Sequence, residues 1–216
     1  MTRILLASRN AHKLAELRRI LAPALPGLDV VGLNDVETYD EVPETGATFA
    51  DNALLKAREG FTHTGLPTVA DDSGLTVDAL NDMPGVLSAR WSGRHGDDEA
   101  NLQLVLAQVA DTPDERLGAA FVCAVAYVDG TDELVMDGVM RGRLIRRPRG
   151  VNGFGYDPIF VPDGYELTSA ELEPAQKDAI SHRGNALRSL AVALTSRLSN
   201  EGNTNDDDEC LVHRGC

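Results

Sequence analysis

Two adjacent carboxylates, Asp71 and Asp72, follow the short apolar run Thr68-Val69-Ala70 and precede Ser73 and Gly74. Carboxylates at a strand end suit a hard cation such as Mg²⁺, which takes one or two of them and completes its shell with water and substrate phosphate. Neighbouring side chains on a strand point to opposite faces. The pair is therefore expected to reach one ligand only where the strand breaks, and Ser73-Gly74 is the expected break. Asp and Ser also build ordinary turns by bonding their own backbone, and the stretch alone favours that simpler reading.

Other groups in the chain could complete a phosphate site. Ser8-Arg9-Asn10-Ala11-His12-Lys13 lies where an apolar run gives way to a helical pattern. A helix start offers free N–H groups and a positive dipole end to an anion, and Lys13 adds a mobile charge. The Gly-rich spacing of a Walker loop and the G-x-G-x-x-G of a dinucleotide fold are both absent. Asn52 and Lys56 are four residues apart and share a helix face, where Lys56 would hold phosphate and Glu44 would look across at a metal. In Gly153-Phe154-Gly155-Tyr156-Asp157 the glycines permit close backbone approach, the rings could stack on a base and Asp157 could accept hydrogen bonds from it. Lys177 and Ser181-His182-Arg183 bring donors suited to a carbonyl oxygen. No second His or Cys stands at ligand spacing from His182, which sets zinc aside. Each group also has a plainer reading: a capped helix, a solvated face, a tight turn.

The elements that must position these residues read as α/β with a mixed sheet. Apolar runs at 4–7, 29–33, 68–70 and 119–128 are expected strands, and Asp129-Gly130 is a hairpin signal returning a strand over about 133–143. Helical periodicity covers about 11–21, 49–61 and 97–110, and a last helix is expected over about 184–198. Thr48 with Asp51 has the offset of a capping box. Residues 1–199 form a single expected domain, and 200–216, acidic and without periodicity, an expected disordered tail. The net charge of −14 argues against a nucleic-acid or anionic-membrane binder. No stretch approaches the roughly 18 apolar residues of a spanning helix. Cys123 lies in an apolar run as a core filler, while Cys210 and Cys216 fall in the tail, a usage that suits a reducing cytoplasm.

In order and spacing the segments Ser8-x-Asn10-x-x-Lys13, Glu44-Thr45-Gly46, Asn52-Ala53-x-x-Lys56-Ala57, Ala70-Asp71-Asp72-Ser73-Gly74, Pro84-Gly85-Val86, Ser88-Ala89-Arg90, Gly153-Phe154-Gly155-Tyr156-Asp157-Pro158, Lys177 and Ser181-His182-Arg183-Gly184 closely resemble the inosine triphosphate pyrophosphatase family. The resemblance covers about residues 3 to 198. It implies Mg²⁺-dependent hydrolysis of ITP, dITP or XTP to the monophosphate and pyrophosphate, by a cytoplasmic homodimer of elongated α/β protomers with two lobes around a central substrate cleft. Carried over by position, Ser8, Arg9, Asn10, Ala11, His12, Lys13 and Lys56 would hold the triphosphate. Asp72 and Glu44 would be metal ligands, with Asp72 also the catalytic group, as base or as the group that orients the attacking water. Ser73 would touch substrate, and Phe154, Gly155, Tyr156, Asp157, Lys177, His182 and Arg183 would form the base pocket. Donors at His182 or Arg183 would favour a purine C6 carbonyl over the amine of adenine; guanine shares that carbonyl, and its rejection is not assigned to a residue. Arg9 departs from a frequent Gly, Leu87 from a common aromatic, and the cysteine-bearing tail from the family pattern. A nucleotide sensor without catalysis, or a pyrophosphatase for another altered nucleotide, is the alternative.

Overall fold

A computed structural model of the chain describes residues 3–21, 23–40 and 42–204, the side chains of His12 and of 198–204 excepted. Strand β1 (Arg3–Leu6) leads into helix α1 (Ala11–Leu21) and strand β2 (Asp29–Gly32). Helix α2 (Phe49–Thr64) then leads into strand β3 (Thr68–Val77). The start of α2 is fixed by the capping box expected from Thr48 and Asp51: the Asp51 N–H donates to Thr48 Oγ1 and the Thr48 N–H to Asp51 Oδ2, each at 3.1 Å. Its end is fixed by Gly65, whose φ of 67° is the left-handed conformation that closes a helix.

A two-residue strand β4 (Met83–Pro84), a 3₁₀ turn over Gly85–Arg90 and helix α3 (Asp98–Gln108) come next. The hairpin of β5 (Gly118–Val128) and β6 (Glu133–Leu144) forms around Asp129-Gly130 as expected. Strand β7 (Phe160–Pro162) and helices α4 (Pro174–Ile180) and α5 (His182–Thr204) complete the chain. The sheet order is β2-β1-β3-β5-β6-β7, with β4 on β3. The β2-β1-β3 pairs are parallel and the others antiparallel, giving the mixed α/β sheet that the sequence implied.

From β1 the chain steps outward to β2, then returns across β1 to β3. The two crossovers run in opposite directions, so right-handed connections place their helices on opposite faces. Accordingly α1 packs with α5 over Val69, Cys123 and Val125, whereas α2 packs over Ala70, Ala124 and Ala126. Beyond them Leu75, Val77, Leu102, Val105, Phe121 and Phe160 form a further core cluster. Such a reversal of strand order leaves a crevice outside the carboxyl ends of the strands, here β1 and β3.

Three expectations change. The break at Ser73-Gly74 does not occur, because β5 pairs with β3 residue by residue from Thr68↔Val128 to Val77↔Ala119. Helix α5 begins at His182 and continues through 200–204, which the sequence reading gave to the tail. Helix α4 and strand β4 are additions, both too short to impose a readable period. The rest of the expected tail, 205–216 with Cys210 and Cys216, lies outside the described residues. Among the described residues no helix is long and apolar enough to cross a membrane.

Candidate active site

Because β3 is continuous, Asp71 and Asp72 face opposite sides of the sheet. Strand β1 ends at the pair Leu6↔Val69, and β4 joins β3 only from Thr76. Among the described residues no strand lies beside 70–75 on that side. A ligand at this open edge can therefore meet groups from both faces without any break in β3.

On the α1/α5 face, Asp71 is tied to two cations. Lys13 Nζ lies 2.9 Å and Arg183 Nε 3.1 Å from Asp71 Oδ2. Arg183 also donates to Glu16 Oε2 at 2.6 Å and to Ser73 Oγ at 3.0 Å. Burial pushes the Asp71 carboxyl up, but Lys13, Arg183 and Lys56 outweigh it and hold the group far below its ordinary value. Asp71 is thus a permanent anion. Lys13 reaches it from the first turns of α1, where Asn10 Oδ1 accepts the Lys13 N–H at 3.3 Å and Ser8 Oγ accepts the Asn10 N–H at 3.2 Å.

The α2 face is organised differently. Fully buried Asn52 donates to Asp72 Oδ2 at 3.0 Å and accepts the Gly46 N–H at 2.7 Å. Lys56 Nζ stands 3.6 Å from Asp72 Oδ1 and 2.8 Å from Glu44 Oε1, and Arg90 holds the other oxygen of Glu44 at 3.1 Å. Burial raises Asp72; Lys56 lowers it, nearby Glu44 raises it, and the net position is above the ordinary value. Burial also acts on Glu44, but Lys56 and Arg90 carry it below its ordinary value. At Asp72 burial, helped by Glu44, thus outweighs Lys56. Two carboxylates at an open edge are donors of the kind that Mg²⁺ takes, since it needs only one or two of them. Among the described residues no group of three His, Cys, Asp or Glu stands close enough together to hold a metal ion.

Beside Ser73 opens a pocket lined by Phe154, Tyr156, Asp157, Lys177, His182 and Arg183, among others. The Phe154 ring is partly exposed, with Lys177 Nζ 5.5 Å and the Arg183 guanidinium 5.9 Å from its centroid. Asp157 accepts from the Phe154 N–H at 2.9 Å and from Lys177 at 2.6 Å, and so shapes the loop that presents the ring. The Tyr156 hydroxyl donates to the Ser88 carbonyl at 2.8 Å. His182 stacks on Phe121 with centroids 5.0 Å apart, and its buried Nδ1 has no hydrogen-bond partner among the described residues. A buried nitrogen left unpartnered beside a pocket calls for a partner the protein itself does not supply.

Burial, then Arg183 and Lys177, hold the His182 imidazole well below its ordinary 6.5. The folded protein keeps it neutral, so below about pH 6.5 the unfolded chain binds the extra proton. This part of the stability is complete above that pH and is lost as pH falls beneath it. We expect a melting temperature a few degrees lower at pH 5 than at pH 7.5, with part of the slope removed in His182→Gln. Parallel slopes in the two proteins would refute it.

A family model described as the Ham1 family matches residues 4–193. The chain belongs to the Ham1 family. It is 64% identical over 198 residues to a protein of Nocardia farcinica named dITP/XTP pyrophosphatase, an alignment covering 91% of this chain and 96% of that one. A Mycobacterium tuberculosis protein of the same name is 61% identical over 197 residues, covering 91% and 97%. Among solved structures, the crystal structure titled as a nucleoside-triphosphatase / dITP/XTP pyrophosphatase from Mycobacterium abscessus aligns at TM-score 0.73 with 64% identity, covering 88% of this chain and 98% of that one. A HAM1 protein from Coxiella burnetii aligns at TM-score 0.83 with 43% identity, covering 91% and 100%.

Within this Ham1 chain the residues expected from sequence fall into two neighbouring groups. Lys13, Asp72, Lys56 and Glu44 gather at the open edge of β3, and Phe154 to Asp157, Lys177, His182 and Arg183 around the pocket; Ser73 lies between them. Arg9 instead lines a separate hollow with Leu33, Asn34, Thr38 and Tyr39. Ala11 opens α1, and the His12 side chain is outside the description. Contributors without an expected site role include Glu16, Ser88, Arg90 and Asp98. Glu16 sits three residues after Lys13, a spacing that shares a helix face and could have flagged it. Ser88 and Arg90 lie inside a quoted motif, but only the fold reveals that their turn joins the two groups. Ser88 Oγ accepts the Leu75 N–H at 2.9 Å on β3, while Arg90 grips Glu44.

Proposed function

We propose that this chain hydrolyses non-standard purine nucleoside triphosphates, ITP, dITP and XTP, to the monophosphate and pyrophosphate, clearing them from the nucleotide pool. One observation carries the reading: Lys13, Lys56 and the acidic pair gather at one open sheet edge, immediately beside a pocket lined by Phe154, Tyr156 and His182. Phosphoryl chemistry asks mainly for positioning and charge neutralisation. Lys13 and Lys56 would supply both along the triphosphate, with Ser8, Asn10 and the first N–H groups of α1 at its end and Arg9 at the margin. Glu44 and Asp72 would hold Mg²⁺, which when bound neutralises charge building on the phosphate oxygens. Asp72 would take a proton from, or orient, the attacking water. Its Oδ2 is engaged by Asn52, which leaves Oδ1 for that task.

The base would slide over Phe154 into the pocket, with Tyr156 and the Asp157–Lys177 pair holding the loop. Neutral His182, able to donate from one ring nitrogen, would meet the C6 carbonyl and leave adenine's amine unsatisfied. Arg183 has its three nitrogens already committed to Asp71, Glu16 and Ser73, so its remaining N–H groups reach the base only from a fixed position. We place the protein in the cytoplasm as a homodimer with two lobes about this cleft, acting on free nucleotides rather than nucleic acid.

Pyrophosphate release measured with ITP, dITP, XTP, ATP and GTP tests the proposal. The expected result is release from the first three, with kcat/KM for ATP and GTP at least about a hundredfold lower. Tight binding without release would instead favour a sensor. Release only from some other altered nucleotide would reassign the substrate.

A further inference from the structure

Three carboxylates line the pocket: Glu16, Asp98 and Asp157. Two of them are neutralised at short range, Glu16 by Arg183 and Asp157 by Lys177, each at 2.6 Å. Asp98 is an exposed residue in the first turn of α3, where the helix dipole offsets part of its charge, and no salt bridge to it forms among the described residues. Its position is fixed nonetheless. Asp98 Oδ2 accepts the Gly155 N–H at 2.9 Å, which holds the carboxylate against the backbone of the loop that presents Phe154. Its charge is felt inside the pocket, where it adds to burial in raising the Tyr156 phenol.

We propose that Asp98 is a specificity-determining residue, whose negative charge, paired with no side-chain cation at the pocket, disfavours a purine base that is itself anionic. The inference rests on the reading that the base occupies this pocket, and it concerns the choice among the accepted bases. Xanthine, with carbonyls at C2 and C6, gives up a ring proton close to neutral pH, whereas hypoxanthine keeps its proton well into the alkaline range. The base of ITP therefore arrives neutral, and that of XTP arrives increasingly anionic as pH rises. The groups facing a base here are Glu16 with Arg183, Asp157 with Lys177, neutral His182, the Tyr156 ring and Asp98. Arg183 with Lys13 balances Glu16 and Asp71, Lys177 balances Asp157, and Asp98 is left without a side-chain counter-charge. Repulsion between like charges several ångströms apart in a partly solvated site is worth a modest factor and weakens with salt.

Asp98→Asn separates charge from anchoring, since the amide oxygen can still accept the Gly155 N–H. The measurement is the XTP-to-ITP ratio of kcat/KM between about pH 5 and 8.5 at low ionic strength. In Asp98→Asn the ratio is expected to exceed the wild-type ratio by about threefold or more at the alkaline end, and to match it at the acid end. Asp98→Glu, which keeps the charge, should follow the wild type. Asp98→Ala should reproduce the pH-dependent rise and also raise KM for both substrates, through the lost loop anchor. A wild-type ratio that Asp98→Asn leaves unchanged at every pH overturns the inference and reduces Asp98 to an anchor. Failure of the wild type to release pyrophosphate from either nucleotide would instead sink the underlying function.

Discussion

Asp72→Asn is expected to lower kcat for ITP by about a thousandfold, with the dissociation constant for ITP changed by no more than a few-fold. The replacement keeps the side chain's shape, and its amide oxygen can still accept from Asn52, which donates to Asp72 Oδ2 at 3.0 Å. The NH₂ group then takes the place of Oδ1, 3.6 Å from Lys56 Nζ, where it can neither accept a proton nor ligate a cation. The same substitution should not destabilise the fold. Burial and Glu44 already disfavour the charged form of Asp72, so removing the charge is expected to leave the melting temperature level or slightly higher. Pyrophosphate release, titration calorimetry with ITP and a thermal melt together decide the matter. A fall in binding equal to the fall in turnover, or a lowered melting temperature, would make Asp72 a structural residue.

The adjacent pair thus divides its labour by the geometry of one strand. Asp71 faces two cations and is pulled far below its ordinary value; Asp72, a residue away, is pushed above it. Neighbouring carboxylates driven in opposite directions are a recognised route to distinct roles within one site. Alternation along a strand is legible from sequence, and it correctly keeps the two groups apart. The means by which both reach one ligand is not. It depends on where β1 stops beside β3, a property of sheet order that no local pattern encodes. The expected break at Ser73-Gly74 fails for the same reason: what keeps these residues in the ladder is the long strand β5, which lies far along the chain. Features set by adjacent residues are read well. The Thr48–Asp51 box, the Asp129-Gly130 hairpin and the burial of Cys123 all follow from their neighbours. In the site, Lys13, Lys56 and Asp72 carry visible chemistry at visible spacing. Asp98 carries none until the fold sets it against Gly155.

Arg183 is where this division matters most for stability, because a residue expected to touch the base also joins three elements of the fold. Its guanidinium is nearly fully buried and donates to Asp71 on β3 at 3.1 Å, to Glu16 on α1 at 2.6 Å and to Ser73 on β3 at 3.0 Å. Arg183→Met fills similar space but leaves the Asp71 and Glu16 carboxylates facing each other with only Lys13 between them and solvent. Breaking a buried pair from one side typically costs about 3–5 kcal/mol, and in a chain of this size that lowers the melting temperature by about 10 °C. Arg183→Lys should recover little, since one ammonium cannot satisfy three acceptors spread around a planar fork. The triple variant Arg183→Met, Asp71→Asn, Glu16→Gln should regain most of the lost stability, because the stranded charges leave with their partner. Its KM for ITP should remain high if the fixed guanidinium also shapes the pocket. A melting temperature for Arg183→Met within about 2 °C of the wild type would show that water reaches Asp71 and Glu16 readily, and that the burial of this charge cluster does not hold α5 to the sheet.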